Sequence, residues 1–79
     1  MKLLVLTKGS AIYYGTKKGQ NGKWLVLKNT TWVRNNNKKN INYSVHWVRK
    51  NHIKNTIETD IDINNYTHKK LEGMLNVHK

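Results

Sequence analysis

The chain has 79 residues and no Cys, no Pro and no Phe, and its acidic residues number only four. Without Cys there is no disulfide to staple the fold and no thiolate nucleophile, and His is left as the transition-metal ligand to consider. This usage fits a cytoplasmic protein. Without Pro, no strand is interrupted by a missing backbone donor. Without Phe, the aromatic weight falls on three Trp and four Tyr. Long apolar runs are also missing: "LLVL" near the start is cut by Lys8 and Gly9, far short of a signal-peptide core or a membrane span. It reads as a strand of a soluble protein, with no membrane partner. A chain of this length forms one domain with a thin core, so stability must come from packing aliphatic, Trp and Tyr side chains.

The shortage of acid is uneven. Met1 to Ile57 carries twelve Lys and Arg and no Asp or Glu, whereas Glu58 to Lys79 carries three Lys and all four acids, within a net charge of +11. Such a domain repels itself, and a polyanion relieves the repulsion most readily. Nucleic acid, RNA or DNA, is the commonest partner of this kind; the alternative is an acidic surface on a host protein, met by an inhibitor or adaptor. An AT-rich gene would raise Lys and Asn together, but it does not explain missing acids. A compact Lys- and Asn-rich chain also suits a phage or other mobile-element product.

Turn signals divide the chain into short strands. "KLLVLT" is β-capable, Gly9 and Gly15 bracket "SAIYY", and Asn21-Gly22 is a strong hairpin signal. Beyond it "KWLVLKN" and "TTWVRN" are separated by little more than a kink. The loop "NNKKNIN" leads to the strand "YSVHWVRK", and "NHIKN" reads as a single turn. "TIETDIDI" alternates, with Ile57, Thr59, Ile61 and Ile63 on one face and Glu58, Asp60 and Asp62 on the other, which predicts an acidic strand. In the tail, Asn64 or Asn65 could cap a helix presenting Leu71, Met74 and Leu75 on one side. The expected architecture is mainly β: a small antiparallel barrel of about five strands with a short C-terminal helix. Residues 1–79 form one domain, with a basic barrel over 1–56 and the acidic strand and helical tail over 57–79.

The order of features in "VLTKGSAIYYGTKKGQNGKWLVLKN" resembles the opening of SH3-like barrels of the KOW type, found in ribosomal proteins and transcription-elongation factors. Val5, Gly9, Gly15 and the strand Leu25 to Leu27 occupy the positions of that pattern, and "WVRKNHIKN" looks like the last barrel strand and its closing turn, with Ile53 as the apolar residue. The resemblance covers roughly residues 3 to 55. Thr16 departs from it, standing where the family has an aliphatic residue. It implies an SH3-like fold and binding to RNA or nucleic-acid machinery.

Both Arg of the chain stand two residues after a Trp, in "WVRNN" at Trp32 and "WVRKN" at Trp47. Residues i and i+2 of a strand share a face, so Trp32 goes with Arg34 and Trp47 with Arg49, opposite Val33 and Val48. Antiparallel pairing of the two strands would gather two Trp and two Arg on one surface, with both Val in the core. Rings beside guanidinium groups suit a single-stranded nucleic acid, whose bases stack on them. The competing arrangement puts the rings in the core, with Arg reaching past them to solvent.

Lysines supply the second signal. Lys17, Lys18 and Lys23 flank one hairpin tip, Lys38 and Lys39 occupy another among Asn35, Asn36, Asn37 and Asn40, and Lys50 follows Arg49. Tips gathered on one side would follow a phosphate backbone. Catalysis has no support: Ser10 and Ser44 lack a nearby Asp-His frame, and "DIDIN" fails as a calcium loop because Asn65 and Leu71 stand where Gly and Glu are needed. His46 and His52 lack a third ligand for zinc. The expected protein is therefore not an enzyme and needs neither cofactor nor metal.

Overall fold

The computed structural model describes residues 2–36 and 38–77, Val77 by its backbone alone. Asn37 of the expected lysine loop lies outside the described residues. Five strands, β1 (Lys2–Thr7), β2 (Ile12–Gln20), β3 (Trp24–Val33), β4 (Ile41–Arg49) and β5 (Ile53–Glu58), form one antiparallel sheet in the order β4-β3-β2-β1-β5. A helix, α1 (His68–Val77), follows. The expected class, mainly β with five antiparallel strands and one short C-terminal helix, is the class observed. Among the described residues no helix is long and apolar enough to cross a membrane.

The interior position of β1, between β2 and β5, explains why "LLVL" is continuous rather than alternating. Leu4 and Leu6 turn to one face and pack with Ile12, Tyr14 and Val33, while Ile63 and the α1 residues Leu71 and Leu75 close that core. Val5 turns to the other face, where Leu25, Leu27 and Val48 meet it and Leu3, Tyr13 and Ile53 pack alongside. A strand covered on both faces has no use for polar alternation. Leu71 and Leu75 are fully buried and Met74 packs against the same cluster, as the helical spacing of the tail predicts.

The sheet curls because its ladders are irregular. Bulges interrupt the β2–β3 register between Tyr14 and Thr16 and between Lys17 and Gly19, and the β1–β5 register between Leu6 and Thr7. Each adds local twist and bends a strand. Asn29, with φ 49°, is the kink foreseen in the middle of β3. Left-handed backbone is tolerated by Asn better than by most residues. The kink redirects the strand: Leu25 and Leu27 before it enter one core, and Val33 after it enters the other.

Turn chemistry partly departs from the glycine signals. The Asn21-Gly22 hairpin forms, but Gly22 takes no positive φ. The Asn21 side chain closes the turn instead, its Oδ1 accepting from the backbone N–H of Lys23 (2.8 Å) and Trp24 (2.9 Å). Between β1 and β2 the left-handed residue is Ser10 (φ 64°) rather than Gly9. A single 3₁₀ turn, Lys50–His52, carries the chain from β4 to β5. The Lys50 N–H donates to the Lys23 carbonyl (2.9 Å) and the Lys8 N–H to the His52 carbonyl (2.7 Å), so this crossing is pinned between the two other turns.

Two expectations about the tail need correction. The acidic strand over 57–63 does not form as a separate element: β5 begins at Ile53 and ends at Glu58, and Ile63 lies in a 3₁₀ turn, Ile63–Asn65. The partner strand runs out, since Leu3 pairs with Glu58 and the Thr59 N–H makes a last bond to the Lys2 carbonyl (3.0 Å). Even so, Ile57, Ile61 and Ile63 reach the core, as the alternation requires. The helix cap is Thr67, whose Oγ1 accepts from the Lys70 N–H (3.2 Å), while Asn64 and Asn65 belong to the turn capped by Asp62.

Candidate functional site

The β3–β4 ladder decides where the repeated Trp-Val-Arg segments go. Trp32 stands opposite Ile41, Val26 opposite Trp47, and Trp24 opposite Arg49. The two segments therefore lie at opposite ends of the ladder, and the expected single cluster of Trp32, Arg34, Trp47 and Arg49 does not form. Hairpin geometry is the reason. Antiparallel pairing joins residues equidistant from the loop, and Trp32 adjoins the loop that Trp47 is far from. Val33 and Val48 are buried, as expected, and Trp47 is 55 % exposed. Trp32 is half-buried, 6.2 Å from the Tyr13 ring, with the Arg34 guanidinium 5.0 Å from its own ring.

Trp24, diagonal to Trp47 across the ladder, is the ring that Trp47 meets. Their rings meet edge to face, 5.9 Å apart at 74°, and the Arg49 guanidinium lies 5.4 Å from the Trp24 ring. These groups form one wall of an open groove of about 530 Å³. Tyr13, His46 and Val48 line it from the sheet, and Lys8, Gly9 and His52 line it from the two turns. None of the four carboxylates reaches it. Burial holds the His46 imidazole below the usual histidine range, so it is neutral near pH 7. Burial, and then the neighbouring Tyr43 hydroxyl, raise the Tyr13 pKa. The His46 ring packs 4.4 Å from Tyr13 and 5.0 Å from Tyr43. The groove thus offers flat rings and the basic side chains of Lys8 and Arg49, and no carboxylate lines it among the described residues.

The lysine tips separate in the same way. Lys17 and Lys18 lie in the second half of β2, Lys23 in the turn after it, and Lys50 beside that turn. Lys38 and Lys39 belong to the loop at the other end of β3. Ten residues of strand stand between the two tips, at roughly 3.3 Å per residue before bending, so they do not gather on one side as expected. Lys17 and Lys50 share a different cleft, which also holds Glu58. Of the residues singled out from sequence, Trp47 and Arg49 line the groove, and Trp32, Arg34 and Lys38 line a second cleft. Lys8, Tyr13 and Trp24 are not singled out by the sequence, and His46 and His52 enter it only as an incomplete zinc pair. Counting back from the β3–β4 loop would have found Trp24; the others come together only through the curl of the sheet.

No group of three or more His, Asp and Glu that could hold a metal ion occurs among the described residues. Comparison with protein-family models, with curated proteins and with solved structures finds no match.

Proposed function

We propose that the chain is a non-enzymatic nucleic-acid-binding module whose main contact surface is the groove beside Trp24, Trp47 and Arg49. The observation that carries this reading is the coincidence, in one open groove, of the exposed Trp47 ring and the half-buried Trp24 and Tyr13 rings with cations and, among the described residues, no carboxylate. Rings accept base faces, Lys8 and Arg49 attract phosphate, and the net charge of +11 draws a polyanion from a distance. The KOW-type resemblance over residues 3 to 55 points the same way. We place this binding in the cytoplasm, where a chain without Cys has no disulfide to lose.

The test is titration of the intrinsic Trp fluorescence with DNA and RNA oligonucleotides over a range of salt concentrations. Binding should weaken steeply with salt, and the double variant Lys8→Gln/Arg49→Gln should flatten the slope by about one unit for each phosphate that is no longer neutralised. No binding at low salt would overturn the proposal, as would capture of one acidic protein that persists after nuclease treatment.

A further inference from the structure

The groove continues beyond its own walls. Gly9 lines both it and a second cleft, of about 210 Å³, where Trp32, Arg34 and Lys38 face Ser10 and His68. Arg34, Lys38 and His68 in turn line a third cleft, of about 470 Å³, that extends to Tyr66 and Lys69. The three are linked in series, first at Gly9 and then at Arg34, Lys38 and His68. The His68 Nε2, at the first residue of α1, is 2.6 Å from the Ser10 carbonyl oxygen, which fixes the helix against the turn between the clefts. None of the four carboxylates lines any of the three.

The rings run through the same passage. Tyr13 lies 4.4 Å from His46 in the first groove and 6.2 Å from Trp32 in the second. Trp47 and Arg49 line the first groove, and Trp32 and Arg34 the second cleft. The repeated Trp-Val-Arg segments, which fail to form a cluster, thus stand one in the first groove and one in the second cleft. At the pinch, a Cβ added to Gly9 would meet nothing within 4 Å, so there is open space beside the backbone that joins the clefts.

We propose that this furrow takes a single-stranded polynucleotide, running from Trp24, Trp47 and Arg49 past Gly9 to Trp32, Arg34 and Lys38. The inference rests on the nucleic-acid reading and specifies the form of the ligand. Bases lie on aromatic rings only when they are unstacked from their neighbours, and a duplex presents phosphates while hiding its base faces. Reading a duplex through its bases would require a helix or ribbon projecting into a major groove about 12 Å wide, and this furrow is concave. The molecule is 32 Å in its longest dimension, and an unstacked strand rises more per nucleotide than the roughly 3.4 Å of a stacked one, so a strand laid along it spans at most about nine nucleotides.

Fluorescence anisotropy with labelled oligo-dT and oligo-U of three, six, nine and twelve nucleotides, and with a twelve-base-pair duplex, tests the path. Affinity should rise about tenfold or more from the three-mer to the nine-mer and change little beyond it, and the duplex should bind more weakly than the twelve-mer. Arg34→Gln/Lys38→Gln, and the exposed Lys38→Gln alone, should weaken the nine-mer by a larger factor than the three-mer. A three-mer as tight as the nine-mer, far-cleft variants with wild-type affinity for the nine-mer, or a duplex preferred over the single strand would each overturn the path while leaving the groove as a binding site. Failure of every oligonucleotide to bind would overturn the functional reading itself.

Discussion

The Arg49 guanidinium lies 5.4 Å from the ring of Trp24, the residue directly opposite it in the β3–β4 ladder. Trp47 meets the same Trp24 ring edge-on from two residues away on β4. Backbone register therefore holds a cation and two rings in place, so little side-chain freedom remains to be lost when a flat ligand arrives.

Within that arrangement Trp47 is exposed and Trp24 is half-buried, which separates their roles. Trp47→Ala should leave no cavity and lower stability by only about 0.5–1.5 kcal/mol, the worth of its edge-to-face contact with Trp24. It should lower affinity for single-stranded oligonucleotides by about 1–3 kcal/mol, the worth of one stacked base. Urea denaturation and oligonucleotide titration on the same variant check both halves. A stability loss of about 3–5 kcal/mol would instead mark Trp47 as a core residue.

Gly15 is fixed by its neighbours. A Cβ there would fall 2.6 Å from the Thr30 Oγ1 and 3.0 Å from both the Lys28 carbonyl oxygen and the Thr30 Cα. Two of these three atoms are backbone of the adjoining strand, which cannot give way without parting β2 from β3. Gly15→Ala should therefore destabilise the fold by about 1–3 kcal/mol, as overpacking does, and Gly19→Ala, where a Cβ meets nothing within 4 Å, is the control. Equal melting temperatures for the two variants would show that the sheet relaxes around the added carbon.

These contacts show what sequence could and could not reveal. Local chemistry was legible: the "LLVL" strand, the Asn21 turn, the kink at Asn29, the loop through Lys38 and the packing face of the tail all follow from propensity and periodicity. What failed was distance between elements. Trp32 and Trp47 share a motif, but pairing depends on their separation from the loop, and that places Trp24 beside Trp47. Lys8, Tyr13 and His52 reach the groove from three different segments, through bulges and a 3₁₀ crossing that leave no periodic trace in the sequence. The acidic alternation indicated correctly which Ile face the core and wrongly that Ile61 and Ile63 prolong the strand that holds Ile57, because burial sets the pattern whether or not a partner strand is present.

The Tyr14 hydroxyl donates to the Thr59 carbonyl and accepts from the Ile61 N–H, both at 2.9 Å. One buried oxygen thus satisfies two backbone groups of the segment that follows β5 and leads to α1. Tyr14→Phe keeps the ring but strands both groups, at a cost of about 1–3 kcal/mol. Faster hydrogen exchange at Ile61 should accompany the substitution. An unchanged exchange rate there would mean that other contacts hold the segment.

His46 should give stability and oligonucleotide binding opposite dependences on pH. Its ring packs between Tyr13 and Tyr43, and burial lowers its pKa below the ordinary value of about 6.5. As pH falls through about 6.5, the unfolded chain takes up a proton that the folded chain refuses. The contribution of His46 to stability is therefore fully present above that pH and is lost progressively as pH drops toward the lower folded pKa. A phosphate in the groove acts in the other sense, since it favours the charged imidazole, so affinity for an oligonucleotide should rise over the same interval. His46→Gln should flatten both trends. The check is a pair of measurements between pH 7 and pH 5, the urea midpoint and the oligonucleotide Kd, on wild type and variant. If the variant keeps the wild-type pH dependence of the midpoint, His46 is not the group that titrates; if only the dependence of Kd survives, the phosphate lies away from this ring, nearer to Lys8 and Arg49.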